Sequence, residues 1–206
     1  MTTAKQEILD RIRAALGDDR TLPPVQRGYH TSSDDPPGSD TVLELLEDRL
    51  VDYKATVHRC SAAEIGATVR AVLAPLLPEG GKVVVPPGLP GDWLPDATSD
   101  QGFDPLALDE FAAVVTCCAA ASARTGTIVL DGSPDQGRRA ITLVPDIHVC
   151  VVRADQVVDT VPELLARLDA TRPLTFISGP SATSDIELQR VEGVHGPRTL
   201  AVVLVD

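Results

Sequence analysis

Lysine disappears from this chain after position 82. Lys5, Lys54 and Lys82 are the only three, so positive charge beyond that point rests on arginine. This removes Schiff-base chemistry and a phosphate-loop lysine from the second half of the chain. Aromatic residues make up only 3%, so the core must be built from Val, Leu, Ile and Ala, as in sheets covered by helices. No run of about 18 apolar residues exists to span a bilayer. The opening stretch, Met1 to Glu7, lacks the apolar core of a signal peptide. Membrane insertion is therefore not expected, and a cytoplasmic location is the default expectation. The four cysteines, Cys60, Cys117, Cys118 and Cys150, should then be reduced. None forms a C-x-x-C pair, which argues against an iron–sulfur cluster held by this chain alone. Basic surface is scarce too: a formal net charge of −12 opposes nucleic acid and anionic membranes, while leaving room for a local basic pocket.

What is present suits one domain with a small appendage, since 206 residues with 43% hydrophobic content can bury a sizeable core. Residues 4–16 carry Ile8, Leu9, Ile12, Ala15 and Leu16 at helical spacing, and Gly17 stops the pattern. Residues 1–17 thus read as an arm that packs on a partner or folds back on its own domain. Residues 18–38, with Pro23-Pro24 and Pro36-Pro37, read as a linker. The domain proper spans 39–206. There Thr41 and Glu44 have capping-box spacing for a helix to about Lys54, and Ser61 and Glu64 repeat it for a helix to about Leu77. Strands are expected at 56–60, 82–85, 112–116, 128–130, 148–152, 174–177 and 200–205, with a helix over 157–168. The alternation gives an α/β fold, a layered and mostly parallel sheet flanked by helices.

Three segments have the residue types for a binding site. Thr125-Gly126-Thr127 places two hydroxyls about a glycine that lets a backbone approach, or is simply a tight bend before the strand at Ile128. Ser178-Gly179-Pro180-Ser181, followed by Thr183 and Asp185, ends an apolar strand in hydroxyl groups, where α/β sheets place ligands, and a short helix is expected near Ser184. It is not a Walker loop. In the third, His195 lies between two glycines and Arg198 is suited to clamp a carboxylate or phosphate. His58-x-Cys60 and His148-x-Cys150 each put both side chains on one strand face. They would approximate a metal site if the strands were adjacent, but a metal is not the expectation. Catalytic signatures such as G-x-S-x-G and H-E-x-x-H are absent from the sequence.

These residues resemble a known family. Thr125-Gly126-Thr127-Ile128-Val129-Leu130, then Arg139, Pro145 and His148, then Ile177-Ser178-Gly179-Pro180-Ser181, Asp185-Ile186-Glu187 and Gly193-Val194-His195-Gly196-Pro197-Arg198 are similar to motifs of the lactate utilization protein C (LutC/YkgG, LUD-domain) family. The resemblance implies a fold like the NagB/RpiA/CoA-transferase-like group. It further implies a part in oxidising L-lactate to pyruvate beside two iron–sulfur proteins, with no cofactor on this chain. It supplies no catalytic residue. The candidate ligand-binding residues are Thr125, Gly126, Thr127, Arg139, His148, Ser178, Gly179, Ser181, Thr183, Asp185, His195 and Arg198. Two positions depart from the pattern: Arg124 stands where relatives often have an acid, and Ala182 where they often have an arginine. Arg124 is expected to enter the same pocket and replace the missing guanidinium. Three functions follow: a non-redox subunit binding a small carboxylate or a partner, a stand-alone enzyme on a phosphorylated or acyl-CoA molecule, or a pure assembly module.

Overall fold

The computed structural model describes residues 3–17, 24–183, 191–192 and 195–206. The first helix, α1 (Ala4–Leu16), is capped by the Thr3 side chain and ends at Gly17, where φ is +66°; none of its residues is buried. Among the described residues, hydrogen bonds from this N-terminal part to the domain are made by Ser33, whose N–H donates to Glu163, and by Gly38, whose N–H donates to the Val157 carbonyl.

Helix α2 (Asp40–Asp52) starts two residues earlier than the Thr41/Glu44 spacing suggests. Ser39 occupies its N-cap without a side-chain cap bond. Strand β1 (Thr56–Cys60) follows. The expected Ser61/Glu64 capping box is made, with the Glu64 carboxylate accepting from the Ser61 N–H and hydroxyl at 3.1 and 2.6 Å. It opens a short 3₁₀ turn and then α3 (Ile65–Leu73), which stops short of Leu77. The next elements are β2 (Lys82–Val85), β3 (Thr98–Ser99), α4 (Pro105–Leu108) and β4 (Phe111–Cys117). They are followed by β5 (Ala120–Ser122), β6 (Thr127–Leu130) and β7 (Ile147–Arg153). The helix expected over 157–168 divides into β8 (Val157–Val158) and α5 (Val161–Ala166). Thr160 and Glu163 form a second capping box there, and Pro162 suits the first helical turn. The chain closes with β9 (Thr175–Ile177), the short pair β10 (Ala182–Thr183) and β11 (Val191–Glu192), and β12 (Thr199–Val205). The helix expected near Ser184 lies outside the described residues.

Six strands form one sheet in the order β1-β12-β7-β4-β2-β3, and every pairing in it is parallel. The mostly parallel α/β sheet read from the sequence is therefore present. Its central strands are nearly continuous runs of buried Val, Leu and Ile, because both faces are covered. On one face Ile65, Val69, Val72 and Leu73 of α3 pack against Val149, Val151, Ala201 and Val203. On the other, Leu43, Leu46 and Leu50 of α2 share a core with Ile128, Leu130, Cys150, Leu200 and Val202. A second sheet, β8-β5-β6-β9, is antiparallel at β5–β6 and β6–β9. Strand β12 separates β1 from β7. His58 and Cys60 are therefore not brought beside His148 and Cys150, and the four do not assemble as a metal site. Among the described residues no group of three or more His, Cys, Asp or Glu is placed to hold a metal ion, and no helix is long and apolar enough to cross a membrane.

Candidate functional site

A cavity of about 290 Å³ opens where the second sheet meets the starts of β7 and β12. Arg139, His148, Ser178, Gly179, Ser181 and His195, all read from the sequence as binding residues, line it. The cavity runs along β9 (Thr175–Ile177) and takes in the Ser178 turn at its C-terminal end. In the large parallel sheet, however, it sits at the N-terminal ends of β7 and β12, opposite to the usual ligand edge of such sheets. A larger space of about 580 Å³ adjoins it across Arg139, Thr142 and Thr175.

The two glycine turns owe their shape to α2. Gly126 has φ +57°, and a Cβ there would lie 2.9 Å from the Arg49 Cβ; Gly179 has φ +85°, and its Cβ would lie 2.6 Å from the Tyr53 Cβ. Both turns therefore rest against the C-terminal end of one helix, at a distance only glycine permits. The Thr125-Gly126-Thr127 turn does not line the cavity, so its reading as a tight bend is correct for the backbone. Its hydroxyls still reach the wall. Antiparallel pairing of β6 with β9 puts Thr127 beside Ser178, and Thr127 Oγ1 lies 2.8 Å from Thr125 Oγ1 and 2.9 Å from Ser178 Oγ. The Ser181 hydroxyl accepts from the His195 N–H at 2.9 Å.

His148 forms the buried wall, with a relative exposure of 1%. Its Nε2 lies 2.8 Å from the hydroxyl of Thr116, a residue that no local motif singles out: the two are 32 residues apart and meet only because β4 and β7 pair. Burial, together with the Arg139 charge, lowers its pKa to about 4, so the imidazole is neutral at pH 7. Arg139 makes no ion pair among the described residues; its guanidinium donates to Thr142 Oγ1 at 3.5 Å. A guanidinium with no carboxylate partner among the described residues, beside a neutral imidazole and several hydroxyls, is chemically suited to a small anion.

Two expected arginines are committed elsewhere. Arg198 donates two bonds to Asp146, at 2.6 and 2.8 Å, and the Thr199 N–H donates to the Asp146 carbonyl, so this pair aligns the starts of β7 and β12. Arg124 does not replace a pocket guanidinium. It donates to Asp159 at 2.6 Å, and that carboxylate, only 2% exposed, requires a counter-charge. Thr183 is placed in β10, and Asp185 lies outside the described residues.

Cys117 and Cys118 are held as thiols. Burial, reinforced by Asp135, raises Cys117 well above the ordinary thiol range, and a hydrogen bond to Cys150 together with burial does the same for Cys118.

Comparison with known proteins places this geometry. Residues 107–205 match the model of the LUD domain. Over 214 aligned residues the chain is 45% identical to the lactate utilization protein C of Deinococcus radiodurans, covering 98% of this chain and 95% of that protein. The chain belongs to the lactate utilization protein C family. The protein of the same name from Exiguobacterium sp. is 30% identical, over 98% of this chain and 96% of its own. Among solved structures, that of a DUF162 family protein from Deinococcus radiodurans superposes with a TM-score of 0.68 at 39% identity, covering 81% of this chain and 97% of that one. Every residue lining the cavity falls within the LUD-domain span, whereas α2, which shapes the two glycine turns, precedes it.

Proposed function

We propose that this protein serves lactate utilization as a cytoplasmic, non-redox subunit that binds a small carboxylate in the Arg139/His148 cavity, beside two iron–sulfur partner proteins. The names of its relatives support the pathway. The observation that carries the ligand class is Arg139, which faces the cavity without an acidic partner among the described residues while His148 beside it stays neutral. Cys117 and Cys118, kept protonated by burial and, for Cys118, first by a hydrogen bond to Cys150, are poorly suited as cluster ligands, which favours leaving electron transfer to partners.

Calorimetric titration tests the ligand class. L-lactate should bind the wild-type protein saturably, and Arg139→Gln should weaken it roughly 10- to 100-fold, as expected for losing a charged hydrogen bond. Equal binding by both proteins would remove the cavity from consideration.

Partner binding has its own candidate surface, the apolar stripe of α1. Ile8, Ile12 and Leu16 are 58, 50 and 64% exposed, more than a helix leaves open without a covering surface. Removing residues 1–17 should leave the melting temperature unchanged, since no α1 residue is buried, and should abolish co-purification of endogenous partners. Unchanged co-purification would overturn this role. A second reading, an enzyme acting on a phosphorylated or acyl-CoA molecule, draws its support from the adjoining 580 Å³ space, which has room for a larger ligand.

A further inference from the structure

The geometry points to selectivity for a 2-hydroxycarboxylate over the corresponding 2-oxo acid, set by the tautomer of His148; this rests on the reading of the cavity as a small-carboxylate site. His148 and Cys150 on β7 and Thr116 on β4 share one face of the parallel sheet. Thr116 Oγ1 lies 2.8 Å from His148 Nε2 and 3.9 Å from Cys150 Sγ, and Cys150 Sγ lies 3.8 Å from the Cys117 carbonyl oxygen. A carbonyl only accepts. The chain therefore runs in one direction: Nε2–H donates to Thr116, the Thr116 hydroxyl to Cys150, and the Cys150 thiol to Cys117. The reverse arrangement, with Thr116 donating to Nε2, loses the Thr116 donation to sulfur and turns an Nδ1–H toward the cavity wall that carries Arg139. An N–H that faces a guanidinium across the same cavity is the less favourable arrangement.

Two further observations support the same tautomer. The positive charge of Arg139 opposes a proton on the ring and favours a lone pair on its side. Nε2 is engaged by a fully buried threonine, and His148 has no other hydrogen bond among the described residues. Ser39 Oγ is the only buried side-chain polar atom left without a partner among them, so Nδ1 is the edge of the ring that opens to the cavity.

The wall thus presents a cation and, next to it, a pure acceptor. A carboxylate on Arg139 with an adjacent hydroxyl satisfies both, because the hydroxyl donates to Nδ1. An oxo oxygen in the same place sets lone pair against lone pair. Thr116 is a positioning residue here: it touches no ligand and acts through the imidazole.

The test is the ratio of L-lactate to pyruvate affinity, measured by calorimetry on the full chain. Wild type and Thr116→Ser, which keeps the hydroxyl, should prefer lactate by at least about tenfold. In Thr116→Val the preference should collapse, with the ¹⁵N shifts of the His148 ring changing from the Nε2–H to the Nδ1–H pattern. Equal affinity of the wild-type protein for the two acids, or an unchanged preference in Thr116→Val, overturns the inference and leaves the carboxylate site standing. Binding of neither acid overturns both.

Discussion

Acidification from pH 7 to about pH 4 is expected to remove roughly 3 kcal/mol of stability through His148 alone. Its ordinary pKa of 6.5 falls to about 4 in the folded protein, and each unit corresponds to about 1.4 kcal/mol. Between those values the unfolded chain binds more protons than the folded one, so stability rises with pH across the window. The contribution is complete above about pH 6.5 and is lost as the pH falls through the folded value. Denaturant midpoints at pH 7 and pH 4.5 should converge less steeply toward zero for His148→Gln than for the wild-type protein. Carboxylates whose pKa is lowered, such as Asp100 held by Arg138, act equally in both proteins and cancel. Parallel declines would mean that water reaches the imidazole and that the buried wall of the cavity is wrongly described.

Gly179→Ala is the second large effect. The new Cβ would meet the Tyr53 Cβ at 2.6 Å and the Tyr53 carbonyl oxygen at 2.9 Å, at a φ of +85°. The conformation costs about 1–2 kcal/mol and the displacement of backbone adds a similar amount. A loss of about 3 kcal/mol should lower the melting temperature by roughly 6–12 °C for a chain of this size. Gly102→Ala is the matched control: its φ is +88°, yet nothing lies within 4 Å of its Cβ. It should show the conformational cost alone. Equal losses in the two variants would detach the Ser178 turn from α2. Because Ser178 and Ser181 flank this glycine, carboxylate affinity should fall with Gly179→Ala and not with Gly102→Ala.

Much of this architecture was legible where local signals agreed. β1 and β2 are bounded by capping residues or by Gly and Pro, and their limits are the ones the sequence suggests. Where signals conflicted, the fold was not legible. Val157-Val158 is apolar and precedes a leucine repeat, so it reads as helix. Only the Thr160/Glu163 box and Pro162 mark where the helix starts, and Val157-Val158 instead pairs with Ala121-Ser122. β5 consists of Ala120, Ala121 and Ser122, which carry little strand preference; its burial in the second sheet decides its state.

The site followed the same division. His148, Arg139 and Ser178 belong to motifs with recognisable chemistry, and the structure gathers them in one cavity. Thr116 sits in an ordinary run of strand residues, and its bond to His148 depends on a pairing that no local pattern reveals. Arg124 and Arg198 look like ligand-binding groups in the sequence because their partners, Asp159 and Asp146, are distant along the chain. An arginine's availability is a property of the folded charge map, which the sequence does not carry.

The central claim is that the His148 cavity takes a small carboxylate. The most direct measurement is the ¹⁵N spectrum of the histidine side chains during addition of L-lactate at pH 7. At about 10 mM ligand, ten times the ~1 mM Kd that roughly 4 kcal/mol of binding would give, the His148 ring resonances should shift saturably. His58 and His30, neither of which lines the cavity, should stay in place, and Arg139→Gln should suppress the shift. A His148 spectrum that does not move, or moves equally in Arg139→Gln, would contradict the account.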